Sequence, residues 1–278
     1  MPRKTSRSIR DDLPTQAALM AAGTDFDAKR WSDPQYLNIR SGIVELGLQD
    51  GQRVTRADVF DLIAAKPRLA VMLTIVWGYP SGKINRHRKP IDALFSNAAV
   101  VADRLSELQQ AEPLPAGALI RELNNLCGKG ISTSTTSKLA YFFGLTTLEG
   151  ACVIYDHRVI NTIMEGTHLE FRGLRTTLPV ERLRNSRDLA IRLENARNQQ
   201  TRSFADYIAT VNRLAKRLSK LGPDVVTPDQ VELALFDNAP PSSELGARTR
   251  SSKQISDRTT RRKALRPTNI DAANPQAA

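Results

Sequence analysis

The sequence is poor in the residue types that build disulfide frameworks and metal sites. Its 278 residues include two cysteines, Cys127 and Cys152, which excludes a disulfide-rich fold and a four-cysteine iron–sulfur cluster. Its three histidines, His87, His157 and His168, do not have metal-ligand spacing. We therefore expect reduced thiols, and neither a metal nor another cofactor.

Long apolar runs are also missing. No segment reaches 18 consecutive apolar residues, which is about the shortest run that suggests a membrane-spanning helix. The N-terminus is basic but lacks the apolar stretch of a secretory signal. These features predict a soluble cytoplasmic protein that does not interact with membranes.

Aromatic residues are scarce, at 5%, whereas basic residues are in excess. The 40 Lys and Arg against 29 Asp and Glu give a formal net charge of +11 at pH 7. A chain this basic usually meets a polyanion, either nucleic acid, an acidic membrane surface or an acidic protein, although charge also serves solubility. Because the excess is spread along the chain, we favour nucleic acid.

Composition divides the chain into three parts. Residues 1–14 are expected to form a basic N-terminal arm, and residues 15–237 to form the folded domain. Residues 238–278 are basic and rich in Pro, Ser, Thr, Arg and Ala. Such a segment has too little apolar surface to offset its ordering entropy, so we predict a disordered tail.

Apolar residues recur with a helical period through the folded domain, which predicts a mainly α-helical fold. The pattern predicts helices over 56–65, 69–77, 91–108, 116–126, 135–143 and 204–218. Thr55 and Thr227 have the type and position of N-caps. The strand signal is weak. The best candidate is 153–155, and a small N-terminal sheet is left open.

One segment has a turn that suits a phosphate. An apolar helix is expected to end at Gly128-Lys129-Gly130, and a run of hydroxyl residues leads into the next helix. Glycines permit positive φ and close approach, and N–H groups at a helix start can bind a phosphate. Lys129, Ser132 and Thr133 can add contacts. The pattern predicts a helix-hairpin-helix element, with an ordinary helix C-cap as the alternative.

Two ionisable residues follow this turn. Asp156 comes after an apolar run and before a predicted helix, where the helix N-terminus favours its anion. Lys138 lies 18 residues upstream, on the helix that leaves the hairpin. A corner between two helices can bring both side chains to one cleft. Taken singly, Asp156 would be a helix cap and Lys138 a solvated lysine, whereas the joint pattern favours catalysis.

The order of hairpin, lysine, loop and aspartate resembles the helix-hairpin-helix DNA glycosylase superfamily, especially its 8-oxoguanine glycosylase-like branch. The resemblance rests on Gly128-Lys129-Gly130, Ser137-Lys138-Leu139 and Ile154-Tyr155-Asp156-His157-Arg158-Val159. It covers 122–163 most closely and extends more loosely to 76–80 and 231–236. The interval from Gly130 to Lys138 is longer than the spacing typical of the family. Either the hairpin is irregular, or the lysine lies one turn further along.

The resemblance implies a helical glycosylase fold with the hairpin at the mouth of a cleft between helical layers. It implies that Lys138 attacks C1′ of the damaged nucleoside and that Asp156 is the other essential group. A fixed carboxylate would stabilise the positive charge that develops on the sugar. Attack by a neutral lysine would give a Schiff base and permit strand cleavage, whereas a water nucleophile would stop at the abasic site. We assign Arg158 to the DNA contacts, together with the hairpin.

A target base must leave the stack to reach such a cleft, where it needs aromatic or apolar walls. Trp77, Tyr79 and Tyr155 are the candidates for this base pocket, with core packing as the alternative. For Phe236 we expect core packing.

The sequence therefore predicts a DNA glycosylase that binds double-stranded DNA and needs no obligate protein partner. Two substrates stay open: an oxidised purine, or a modified phage base such as glucosylated hydroxymethylcytosine, which relatives used in bacterial defence are thought to remove. The alternative is a helix-hairpin-helix module that binds DNA without catalysis.

Overall fold

The computed structural model of the chain is mainly α-helical, which confirms the predicted fold class. The structure describes residues 8–79, 87–166, 168–176, 178, 181–182, 189–190 and 197–239. Residues 1–7 of the predicted arm and 240–278 of the predicted tail lie outside this set. Within it, every helix is too short or too polar to span a membrane.

Helices account for most of the described chain. They are α1 (Gln16–Ala21), α2 (Ala28–Trp31), α3 (Leu37–Leu46), α4 (Arg56–Ala65), α5 (Pro67–Gly78), α6 (Arg88–Ser96), α7 (Ala98–Gln110), α8 (Ala116–Cys127), α9 (Thr133–Phe142), α10 (His157–Glu165), α11 (Arg197–Lys220) and α12 (Pro228–Asp237), with 3-10 helices at Ile9–Asp12 and Leu169–Thr176. The strands are β1 (Gly23–Asp25), β2 (Arg53–Thr55), β3 (Thr146–Thr147), β4 (Gly150–Ala151), β5 (Glu181–Arg182) and β6 (Leu189–Ala190). The strands form three antiparallel pairs: β1 with β2, β3 with β4, and β5 with β6. The first pair is a small N-terminal sheet.

Residues 8–14 belong to the fold, which corrects the predicted extent of the N-terminal arm. Ile9 is fully buried. The backbone N–H of Ile9 and the hydroxyl of Ser8 donate to Glu170 Oε1 at 3.3 and 3.2 Å. These long-range contacts hold the segment against the folded domain, and its basic composition did not indicate such contacts.

The two predicted N-caps are confirmed. Thr55 Oγ1 accepts the backbone N–H of Asp58 at 3.3 Å, and Asp58 Oδ2 accepts the N–H of Thr55 at 2.7 Å. Thr227 and Gln230 form a second capping box at the start of α12. Each box satisfies N–H groups that a helix start leaves without a helical partner, so both helices begin where the sequence indicated.

Two predictions of local structure were wrong. The helix expected over 91–108 is broken at Asn97, which separates α6 from α7. The segment 153–155 is buried but does not form a strand. Hydroxyl groups take the place of a partner strand there: Ser137 Oγ accepts the N–H of Tyr155 at 3.0 Å, and the Tyr207 hydroxyl donates to the carbonyl of Ile154 at 3.1 Å.

The apolar side chains form two cores, and α8 contributes to both. Leu119 and Leu123 lie in the first core, together with residues of α2 to α7 and α9. Ala116 and Ile120 lie in the second core, together with residues of α10, α11 and α12. Because α9 belongs to one core and α10 to the other, the chain between these helices crosses the boundary between the cores.

A buried ion pair joins distant parts of the sequence. Arg56 Nη2 lies 2.6 Å from Glu232 Oε2, and the two side chains are 1% and 0% exposed. Arg56 also donates to the Tyr141 hydroxyl at 3.0 Å, and that hydroxyl donates to Asp229 Oδ2 at 3.1 Å. Burial raises the pKa of Glu232 to about 7, although Arg56 acts in the opposite direction. The network ties α4 and α9 to α12.

Removing one partner of this pair should destabilise the fold more than removing both. Arg56→Met leaves Glu232 buried without its cation, so we expect a loss of about 3–5 kcal/mol in the free energy of unfolding. The double variant Arg56→Met, Glu232→Leu should recover most of that loss. Urea unfolding measures both values. Arg53→Ala, at an exposed pair with Asp25, is the control and should cost less than about 1 kcal/mol. A double variant no more stable than Arg56→Met would contradict the prediction.

Candidate active site

Asp156 is fixed at the start of α10. It is the N-cap of this helix, and its Oδ1 accepts the backbone N–H groups of Arg158 and Val159 at 2.9 and 3.2 Å. The residue is 5% exposed. The sequence predicted this position at a helix N-terminus, and the structure confirms it.

The charge of Asp156 is set by opposing effects. Burial raises the pKa of its carboxyl group, whereas Lys138, His157 and the two backbone N–H groups lower it. The lowering effects prevail, so the pKa of Asp156 lies below its ordinary value of 3.8. The group is therefore a buried carboxylate at neutral pH.

Lys138 faces this carboxylate from the second turn of α9. Its Nζ lies 3.5 Å from Asp156 Oδ2, and both side chains are 8% exposed. The same nitrogen donates to Ser134 Oγ at 3.0 Å and to the Ser134 carbonyl at 3.3 Å. The structure thus brings together the two residues that the sequence proposed as a pair.

The backbones beside these two residues are linked directly. Ser137 Oγ accepts the N–H of Tyr155 at 3.0 Å and lies 3.4 Å from the Tyr155 carbonyl oxygen, to which it donates. Ser137 precedes Lys138, and Tyr155 precedes Asp156. The link fixes the position of α9 against the segment that carries the carboxylate.

The glycine turn between α8 and α9 has the backbone that was predicted. Gly128 and Gly130 have φ values of +85° and +96°. Gly130 also packs tightly, since an added Cβ would lie 2.5 Å from Pro90 Cγ, whereas one on Gly128 would meet no atom within 4 Å. Lys129 and Gly130 are exposed. The turn therefore presents its surface at the start of α9, beside the lysine helix.

The hydroxyl residues after this turn differ in accessibility. Ser132 is the N-cap residue of α9 and is half-buried, with its Oγ 3.3 Å from Thr135 Oγ1. Thr133 is only 4% exposed, and its Oγ1 accepts from Asn124 Nδ2 of α8 at 3.3 Å. The expectation that the Thr133 side chain contacts DNA was wrong, because this side of α9 packs against α8.

Arg158 lies against the last turn of α12. Its guanidinium carbon is 3.9 Å from the ring centre of Phe236, which is a cation–π geometry. Burial raises the pKa of Asp237, and Arg158 lowers it. The half-buried Arg158 therefore already has an aromatic and an acidic neighbour beside the candidate site.

Two of the three candidate pocket residues flank the contact with Lys138. Trp77 and Tyr79 are half-buried on either side of Gly78, where an added Cβ would lie 2.9 Å from Lys138 Cδ. Trp77 Nε1 donates to the carbonyl of Ala22 at 3.3 Å. The Tyr79 hydroxyl lies 3.0 Å from Thr135 Oγ1 on α9. Both aromatic side chains are thus close to the helix that bears the lysine.

The third candidate, Tyr155, belongs to the second core. None of its surface is exposed, its hydroxyl lies 3.0 Å from Ser203 Oγ, and its ring packs on Phe204 and Tyr207. The expectation that Tyr155 lines the base pocket was wrong. Along this segment Val153 and Tyr155 lie in the second core and Ile154 lies in the first, so the Tyr155 ring is directed into the second core.

Sequence reasoning missed two residues that contact Lys138. Ser134 lies one turn before the lysine, and its place in the hydroxyl run was a usable signal, because residues four apart share a helix face. Gly78 entered the sequence analysis only within the range 76–80 of the looser resemblance. Nothing in the sequence indicated that its missing side chain faces Lys138.

Comparison with protein families identifies the family of this chain. The family model described as "Putative 8-oxoguanine DNA glycosylase OGG-like protein" matches residues 17–236. Because this match spans well over half of the sequence, the chain belongs to the OGG-like family of DNA glycosylases. Searches of curated proteins and of solved structures returned no match to it. The predicted resemblance is confirmed, and membership of the family indicates glycosylase activity and binding to DNA.

The two glycines of the turn between α8 and α9 should differ in their tolerance of a side chain. Gly128→Ala meets only the backbone strain of positive φ, about 1–3 kcal/mol. Gly130→Ala adds a collision with the rigid Pro90 ring, so it should lower the free energy of unfolding further. Pro90→Ala should recover part of that excess in the Gly130→Ala background and none in the Gly128→Ala background. Urea unfolding of the variants decides, and equal losses at the two glycines would refute the packing argument.

Proposed function

We propose that the protein is a DNA glycosylase that hydrolyses the N-glycosidic bond of a modified base flipped out of duplex DNA, leaving an abasic site. The observation that carries this proposal is the 3.5 Å distance between Lys138 Nζ and Asp156 Oδ2. The pair is buried and lies at the boundary between the two cores. Membership of a glycosylase family supports the same chemistry.

The first role falls to Asp156. Cleavage of the bond between base and sugar moves electrons to the base and leaves positive charge on the sugar. A carboxylate held by two backbone N–H groups stays in place as that charge develops, so it stabilises the transition state without reorganisation. The lowered pKa of Asp156 keeps its carboxyl group anionic at neutral pH.

Two routes complete the reaction. In one, a neutral Lys138 amine forms a bond to C1′ while the base departs with the bonding electrons. Opening of the sugar ring then gives a Schiff base, which permits strand cleavage. In the other, water bonds to C1′ as the base departs with the bonding electrons, the proton of the water passes to Asp156, and the product is an abasic site. The contact between Lys138 and Asp156 is compatible with both routes.

The surface around the hairpin supplies the contacts to DNA in this proposal. Lys129 is exposed on the glycine turn, and Gly128 and Gly130 let the backbone approach a phosphate closely. Ser132 lies at the start of α9 beside them. Arg158 adds a cation on the other side of Asp156, at the start of α10.

The substrate within this class is one of two bases. The family description names 8-oxoguanine, which supports an oxidised purine. The other candidate is a modified phage base such as glucosylated hydroxymethylcytosine, which would give the enzyme a role in defence against phages. A base that carries a sugar needs a wider and more polar pocket than a purine does.

Base release tests the proposal directly. Duplexes with single 8-oxoguanine, phage DNA with glucosylated hydroxymethylcytosine and unmodified DNA are incubated with the protein, and released bases are identified by mass spectrometry. We expect one modified base to be released and Asp156→Asn to abolish its release. DNA affinity should change little, because asparagine caps a helix about as well as aspartate, whereas Tm should fall, because Lys138 is left buried without its anion. Intact binding without release from any of these DNAs would indicate a binding module instead.

Borohydride trapping distinguishes the two routes. If Lys138 is the nucleophile, reduction during the reaction gives a covalent protein–DNA adduct that Lys138→Ala loses. Lys216→Ala is the control, because it removes an exposed lysine of α11 that the proposal places in neither the site nor the DNA contacts, and it should keep the adduct. Base release without an adduct in the unaltered protein would assign the attack to water.

A further inference from the structure

The Lys138 side chain occupies a narrow slot between two helices. At one side, an added Cβ on Gly78 would lie 2.9 Å from Lys138 Cδ and 3.4 Å from Cε. At its end, Nζ reaches three oxygens: Ser134 Oγ at 3.0 Å, the Ser134 carbonyl at 3.3 Å and Asp156 Oδ2 at 3.5 Å. An ammonium group has three donors, so these oxygens can engage all of them.

Gly78 is a glycine for reasons of space. Seven glycines of the described chain have positive φ, and Gly78 is not among them, so its backbone conformation suits any residue. It is the last residue of α5, where alanine would be the better helix former by up to about 1 kcal/mol. An alanine methyl group would lie 2.9 Å from Lys138 Cδ, so the lysine stem would have to shift.

Ser134 is available because of the length of the segment before Lys138. The helix α9 begins at Thr133, so a full turn precedes the lysine. Ser134 lies in that turn, four residues before Lys138 and on the same face. The long interval after Gly130 therefore places a hydroxyl and a carbonyl where they can hold the amine.

We propose that Gly78 and Ser134 are positioning residues that hold the Lys138 amine against Asp156. The trapping test of this proposal rests on the proposed role of Lys138 as the nucleophile, whereas the stability test does not. Gly78 provides room for the stem, and Ser134 anchors the nitrogen through its hydroxyl and its carbonyl. A displacement of about 1 Å at a reacting group can cost about 100-fold in rate, so the slot bears directly on attack at C1′.

A double-mutant cycle on thermal stability tests the slot without requiring activity. Gly78→Ala should lower Tm by about 2–4 °C in the full chain, since the lysine must leave its position. In the Lys138→Ala background the same substitution should leave Tm unchanged or raise it. Gly173→Ala is the control, because an added Cβ there meets no atom within 4 Å. An equal effect of Gly78→Ala in both backgrounds would overturn the role of Gly78.

Single-turnover borohydride trapping on an abasic-site duplex tests the effect on the amine. Gly78→Ala and Ser134→Ala should each slow adduct formation by about 10- to 100-fold, with the Kd for the duplex unchanged. Ser134→Thr keeps the hydroxyl and should recover most of the rate. Trapping by Ser134→Ala at the full rate, or a loss that follows weaker DNA binding, would overturn its positioning role. If the unaltered chain forms no adduct, the nucleophile role of Lys138 fails, whereas the stability cycle still decides the slot.

Discussion

The structure depends on how four charges are buried together. Arg56 pairs with Glu232 at 2.6 Å, and Lys138 lies 3.5 Å from Asp156. An isolated charge would cost several kcal/mol to bury, so each needs its partner in place before the cores can close. The pairs also act on each other: beyond burial and Arg56, Asp156 raises the pKa of Glu232 and Lys138 lowers it. The elements that carry these groups, α4, α9, α12 and the start of α10, are therefore held as one unit.

This arrangement has a chemical consequence under the proposed function. Above pH 7, where Glu232 with its pKa of about 7 is mostly ionised, the cluster of four charged groups is neutral. Loss of a proton from Lys138, which attack requires, leaves one excess negative charge beside Asp156. That charge appears where the sugar becomes positive, and in a buried setting it acts with little screening by water. The step that makes Lys138 a nucleophile thus also makes its surroundings favour the transition state.

The sequence predicted the features that a few neighbouring residues decide. Thr227 begins α12 in a capping box with Gln230, three residues on, whose Oε1 accepts the N–H of Thr227 at 2.9 Å, and Asp156 caps α10 by accepting N–H groups two and three residues on. Features that depend on distant contacts were not predicted. Glu232 occupies an ordinary helical position until α4 brings Arg56 to it. Gly78 resembles any glycine at a helix end, and Tyr155 could face either a cleft or a core until both cores are known.

The pairing of Lys138 with Asp156 depends on the contact of Ser137 with Tyr155, not on the number of residues between the glycine turn and Lys138. Ser137 bonds to both backbone groups of Tyr155, so α9 and the segment before Asp156 are held in one register. A shift of one residue in α9 would turn Lys138 by about 100° away from the carboxylate. A whole extra turn before Lys138 leaves its direction almost unchanged, and here that turn adds Ser134. The long interval after Gly130 is therefore compatible with the same pairing of lysine and aspartate, because the constraint lies between the two helices rather than in the length of the turn.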